Sequence, residues 1–129
     1  MMEQFSMDDT LDLADEEITI DLFDQLDMRV GRVLTCETFP EARKPSYKLT
    51  IDFGALGIKK SSAQLTAFYK PEELVGRLVI AVVNFPPRKI AGFPSQVLVL
   101  GVPGTGVKRE GTVVLLTPER EVELGARVF

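Results

Sequence analysis

Arg88 and Lys89 follow a Pro86-Pro87 pair and precede Gly92, so two cations project from a stiffened stretch of chain. Each proline fixes φ and removes a backbone donor. Around them lie Asn84, Ser95 and Gln96, and the rings of Phe85 and Phe93. Cations on an ordered loop suit phosphate contacts, which carry most of the affinity for nucleic acid. Aromatic rings beside them suit stacking on unpaired bases, worth about 1–3 kcal/mol each, and equally suit an apolar groove for an extended peptide. Lys48, Lys59 and Lys60 are expected to share one barrel face with Arg88 and Lys89. Ser61, Ser62, Gln64, Asn84, Ser95 and Gln96 are polar groups at strand ends. Each could donate to a base edge or satisfy a turn through its own backbone.

Other chemistry is scarce. The chain has no histidine and one cysteine, Cys36, so it forms neither a Cys/His zinc site nor a Ser-His-Asp triad. Cys36 reads as a small packed side chain, with nothing near it in sequence arranged to activate it. Gly101-Val102-Pro103-Gly104-Thr105-Gly106 has glycines but neither the dinucleotide spacing nor a Gly-Lys-Ser/Thr ending. It reads as a hairpin connection, and Lys108 and Arg109 follow it. No enzymatic activity, metal or cofactor is expected.

The elements that must hold these residues are mostly strands. Tyr47 to Phe53 alternates strictly, and Met28 to Cys36 alternates with a break near Gly31 that a bulge would explain. Ile58 to Leu65, Leu78 to Phe85 and Gln96 to Leu100 complete five main strands, with closing strands over Thr112 to Leu116 and Val122 to Phe129. Asp21 to Asp27 reads as a short helix capped by Asp21, burying Phe23 and Leu26. Lys70 to Gly76 has proline at its start, acids in its first turn and glycine at its end, giving one or two helical turns. Helices this short exclude the crossovers of a parallel sheet. The expected fold is all-β, a five-stranded Greek-key barrel of the OB type with short helices and a strand-rich C-terminal extension.

The chain of 129 residues, 45% hydrophobic and 26% charged, has the make-up of a single soluble domain. Its apolar runs fall short of the roughly 18 residues that span a bilayer. No secretory leader is expected, and a lone cysteine fits a reducing cytoplasm. The net charge of −4 conceals a split, because residues 1–27 hold ten acids and no base while the rest carries nine acids against fifteen bases, or +6. Residues 1–20 are expected to be a mobile acidic extension preceding a domain over 21–129. Such a run is ordinarily a solvated tail, and the alternative is an arm that covers the basic body.

Val30-Gly31-Arg32-Val33, Lys48 to Gly54, Ser61-Ser62-Ala63-Gln64 and Tyr69 to Gly76 form an ordered series with the stretch through Ser95-Gln96. That series resembles the tRNA-binding OB domain appended to some aminoacyl-tRNA synthetases and found in small free-standing proteins. Asn84-Phe85-Pro86-Pro87-Arg88 and Phe39-Pro40-Glu41-Ala42-Arg43 look most like its export-related chaperone branch, CsaA. The resemblance covers about Asp21 to Phe129 and leaves the acidic extension unexplained. It implies a cytoplasmic homodimer that binds structured tRNA without strict sequence readout. In the CsaA branch it also implies a hold on unfolded, export-bound polypeptides. It favours Ser62, Asn84, Ser95 and Gln96 as site residues, beside Lys48, Ser61, Gln64, Phe85, Arg88, Lys89 and Phe93.

Overall fold

Period-two burial builds the sheet. In the computed structural model, which describes residues 16–106 and 111–129, Tyr47, Leu49 and Ile51 are buried while Lys48, Thr50 and Asp52 between them are not. That is the pattern of a strand with one face on a core. The strands are β1 (Met28–Thr38), β2 (Tyr47–Asp52), β3 (Ile58–Ala63), β4 (Leu78–Val82), β5 (Arg88–Ile90), β6 (Phe93–Ser95), β7 (Leu98–Val99), β8 (Gly101–Pro103) and β9 (Val113–Leu115). The main sheet runs β3-β2-β1-β4-β7, every neighbouring pair antiparallel, and β5-β6 and β8-β9 are separate two-stranded ribbons.

The seam between β3 and the approach to β7 is closed largely by side chains. Gln96 N donates to Lys60 O at 2.8 Å, and Lys60 N donates to Gln96 Oε1 at 2.8 Å. Ser62 N donates to Ser95 Oγ at 3.0 Å, and Ser61 Oγ donates to Val97 O at 3.1 Å. The result is an all-β, nearly closed five-strand barrel. Leu49, Ile51, Phe53 and Val79 fill it without exposure. Helix α2 (Pro71–Leu74), the second of two short helices, buries Leu74 against this core. Its first turn is fixed by Pro71 and by Glu73, whose Oε1 accepts from Lys70 N at 2.7 Å.

Several local expectations change. The irregularity in β1 falls between Val33 and Thr35, not at Gly31. There the strand leaves β4, its partner through Arg32, and continues along β2 to Thr38, and an extra residue supplies the bend. Gly31 is needed for space, because a Cβ there would stand 2.5 Å from Ile51 Cγ2 and 2.7 Å from the Phe53 ring. Helix α1 (Ile20–Asp24) is capped by Thr19, whose Oγ1 accepts from Leu22 N, rather than by Asp21. It buries no residue, and Leu26 remains 37% exposed. The closing strand expected over Val122 to Phe129 shrinks to one bridge, Arg29 with Arg127, flanked by hydrogen bonds to Met28 and Val30. The acidic extension up to Asp15, and Lys108 and Arg109, lie outside the described residues.

Candidate nucleic-acid interface

The stretch after β4 is not one loop but a hairpin. β5 and β6 pair as Arg88 with Ser95, Lys89 with Pro94 and Ile90 with Phe93. The two residues that turn the chain, Ala91 and Gly92, both have positive φ, 48° and 84°. This is the backbone twist that two-residue hairpin turns favour. Pro86 and Pro87 precede the ribbon and Pro94 sits within it, tolerable because neither strand belongs to the main sheet. Arg88 and Lys89 are therefore presented, both exposed, from a ribbon held against β3.

Between this hairpin and the β1–β2 loop lies an open groove of about 1450 Å³. Arg88 and Lys89 line one side, Arg43 and Lys44 line the other, and among the described residues Glu41 is the one acid in its lining. Ser62, Gln64, Phe85, Ser95 and Gln96 also reach it. Phe85 is 46% exposed, so a ring is available beside the cations. Arg43 and Lys44 were missed as site residues, although a basic pair between Pro40 and Pro45 was visible in the sequence.

Lys48 and Phe93 form a different cluster. Lys48 Nζ stands 4.8 Å from the centre of the Phe39 ring and 5.5 Å from that of Phe93. The two rings meet edge-to-face at 5.5 Å, and Lys60 Nζ lies 6.0 Å from Phe93. Cation–π attraction and ring contact pin the hairpin to β2 and β3. Lys59 does not join them. It pairs in register with buried Ile51, whereas Lys60 pairs with Thr50, and successive strand residues face opposite ways. The five basic residues expected on one face are thus divided.

Four of the polar residues hold the fold together. Ser61 is fully buried, and with Ser95 and Gln96 it closes the barrel seam. Both ends of the Asn84 amide are occupied, since Oδ1 accepts from Asp27 N at 3.0 Å and Nδ2 donates to Gln25 O at 2.8 Å. Ser62 and Gln64 line the groove. Cys36 packs against the core, and burial, helped by Glu37 and Glu72, pushes its thiol up to about 11. Burial likewise raises Tyr47, whose hydroxyl donates to Tyr69 O at 2.8 Å. Among the described residues no group of three His, Cys, Asp or Glu could hold a metal ion, and no helix is long and apolar enough to cross a membrane.

The family model described as "Putative tRNA binding domain" matches residues 28–127. The chain belongs to the tRNA-binding domain family. The family span takes in the barrel, both ribbons and the groove. The chain is 41% identical over 113 residues to methionine–tRNA ligase of Archaeoglobus fulgidus, covering 88% of this chain and 16% of the ligase. Against the ligase of Thermotoga maritima it is 37% identical over 120 residues, 93% of this chain and 18% of that one. The chain thus spans about one-sixth of the length of these curated relatives. It resembles two solved structures described as CsaA chaperones over their full length. That of Bacillus anthracis is 49% identical with a TM-score of 0.79, and that of Picrophilus torridus is 46% identical with a TM-score of 0.79. Each covers 88% of this chain.

Proposed function

We propose that this chain is a non-enzymatic tRNA-binding module that grips the phosphate backbone through the groove between the β5–β6 hairpin and the β1–β2 loop. The observation that carries the reading is the pairing of Arg88 and Lys89 with Arg43 and Lys44 across one groove, in a chain of the tRNA-binding domain family. Phosphate contacts from exposed cations position a nucleic acid without reading its sequence. Gln64, Ser62 and the exposed ring of Phe85 would then touch sugars and unstacked bases. Lys48, Phe93, Asn84, Ser61, Ser95 and Gln96 would serve the site by fixing its walls. A chain without histidine, whose one thiol is held protonated by burial, supports binding over catalysis.

The expected working form is a cytoplasmic homodimer, its two grooves offering one extended basic surface. Val102 and Val114, cross-strand partners on β8–β9 and both more than 35% exposed, are apolar side chains suited to self-association. A second reading is favoured by the exposed Phe85 and by Leu98, 48% exposed, on the same groove wall. Such apolar surface suits an unfolded, export-bound polypeptide, and the two solved relatives carry chaperone descriptions.

The test is a tRNA titration at several salt concentrations. About four phosphate contacts give log K against log salt a slope near −3 to −4. Arg88→Ala with Lys89→Ala should lower affinity and flatten that slope by about two contacts' worth. Absence of binding at low salt, or a double variant unchanged in both affinity and slope, refutes the reading. Displacement of tRNA by an unfolded precursor would show that both ligands use one groove.

A further inference from the structure

The segment that leads from the acidic N-terminal stretch into β1 is fastened to the rim of the groove. Asn84 holds it from both sides, through Asp27 N and Gln25 O, and Val83 N donates to Asp27 O at 2.8 Å. Arg127 adds hydrogen bonds to Asp24 O at 2.9 Å and Leu26 O at 3.3 Å. The next residue after Asn84 is Phe85, where the groove lining begins on this side. Residues 1–17 carry seven acids and no base. Across the rim, Arg43, Arg88 and Lys89 have no carboxylate partner among the described residues. The chain that follows the acidic segment is therefore anchored one residue from the groove lining, which carries three cations without a carboxylate partner among the described residues.

We infer that residues 1–17 are an intramolecular competitor for the groove, an acidic segment that occupies the phosphate sites until a stronger polyanion displaces it. The inference rests on the reading of the groove as an anion site. Reach is sufficient, because ten extended residues span about 33 Å. A short tether holds its segment at an effective concentration on the order of millimolar. Even an arm of weak intrinsic affinity then scales the apparent affinity for a free polyanion by the fraction of grooves it leaves open. Carboxylates offer the guanidinium and ammonium groups the same charge-assisted hydrogen bonds as phosphate. Selectivity follows, since a lone anionic group competes poorly with the arm while a ligand contacting several cations at once displaces it.

The experiment uses the full chain and a variant with the seven acids neutralised, E3Q, D8N, D9N, D12N, D15N, E16Q and E17Q. Affinity for tRNA is measured from low to high salt, and carbodiimide cross-linking of carboxylates to lysines is mapped by mass spectrometry. The neutralised chain should bind tRNA about three- to thirty-fold more tightly at low salt, with the gap closing as salt screens the arm. In the wild-type chain, arm cross-links should gather on Lys44 and Lys89 rather than Lys59 and Lys70, and tRNA should suppress them. Equal affinity of the two proteins, or cross-links spread evenly over all lysines, overturns the inference. Cross-links found only between differently labelled copies place the arm on a second molecule and overturn its intramolecular form. If neither protein binds tRNA at low salt, the groove reading fails by itself, and the cross-link map alone decides where the arm sits.

Discussion

Ser61→Ala separates a residue that builds the groove from one that touches a ligand. The Ser61 side chain has no exposed surface, and its hydroxyl donates to Val97 O at 3.1 Å across the seam that closes the barrel. Val97 is itself 5% exposed, so the alanine variant takes a donor from a carbonyl that water cannot easily reach. A buried acceptor left without a donor costs about 1–3 kcal/mol. The hydroxyl also lies 3.3 Å from Ser62 O, but it has one proton, so the two contacts are alternatives rather than a sum. For a domain of this size each kcal/mol shifts Tm by roughly 3–6 °C. The variant should therefore melt several degrees lower, with a reduced urea midpoint and an unchanged m-value. Measured well below Tm, where the protein is folded, its tRNA affinity should stay within about twofold of wild type. A variant with unaltered Tm and tenfold weaker tRNA binding would refute the reasoning, because the hydroxyl would then be reaching a ligand.

Three further outcomes test the packing and the chemistry. Gly31→Ala places a methyl 2.5 Å from Ile51 Cγ2 and 2.7 Å from the Phe53 ring, both side chains without exposure. Overpacking of this kind costs about 1–3 kcal/mol, read as a lower urea midpoint, and a variant as stable as wild type would show that β1 yields there. The Cys36 thiol, pushed to about 11, is roughly one part in a thousand thiolate at pH 8, so iodoacetamide should modify the native protein far more slowly than the urea-unfolded chain. The folded state keeps this proton to higher pH than the unfolded state, whose thiol ionises near 9.0. Stability should thus fall as pH rises from about 9 towards 11, with Tyr47 acting in the same direction. Equal alkylation rates in the two states would overturn this.

The barrel was legible in the sequence where one face of a strand meets the core. β2 is the clearest case, because Tyr47, Leu49 and Ile51 alternate with Lys48, Thr50 and Asp52 and the burial follows. The β5–β6 hairpin was not legible, since Ala91-Gly92 lacks the Asn-Gly or Asp-Gly that ordinarily signals such a turn. Strands only three residues long, one with a proline inside, carry too little pattern to be seen. The placement of Gly31 misled for a related reason. A glycine inside a strand signals either a bulge or a close approach, and only the Ile51 and Phe53 side chains, distant in sequence, decide which.

At the site, the residue types were legible from the order of the chain alone. The sequence supplied a rigid basic stretch at Arg88 and Lys89, a chain without histidine, and a charge split between an acidic start and a +6 remainder. Those are properties of composition and order, and folding does not change them. Which polar groups also hold the fold together depends on contacts remote in the chain. Ser61, Ser95, Gln96 and Asn84 looked equivalent to Ser62 and Gln64 as letters, yet hydrogen bonds to residues 36, 33, 36 and 57–59 positions away tie them into the fold. Lys48 and Lys60 looked equivalent to Arg88 and Lys89, yet they face the Phe39 and Phe93 rings while Arg43 and Lys44 join the groove. The physical reason is that exposure and hydrogen-bond satisfaction are set by what the chain brings opposite each side chain, and in a closing barrel that partner is remote in sequence.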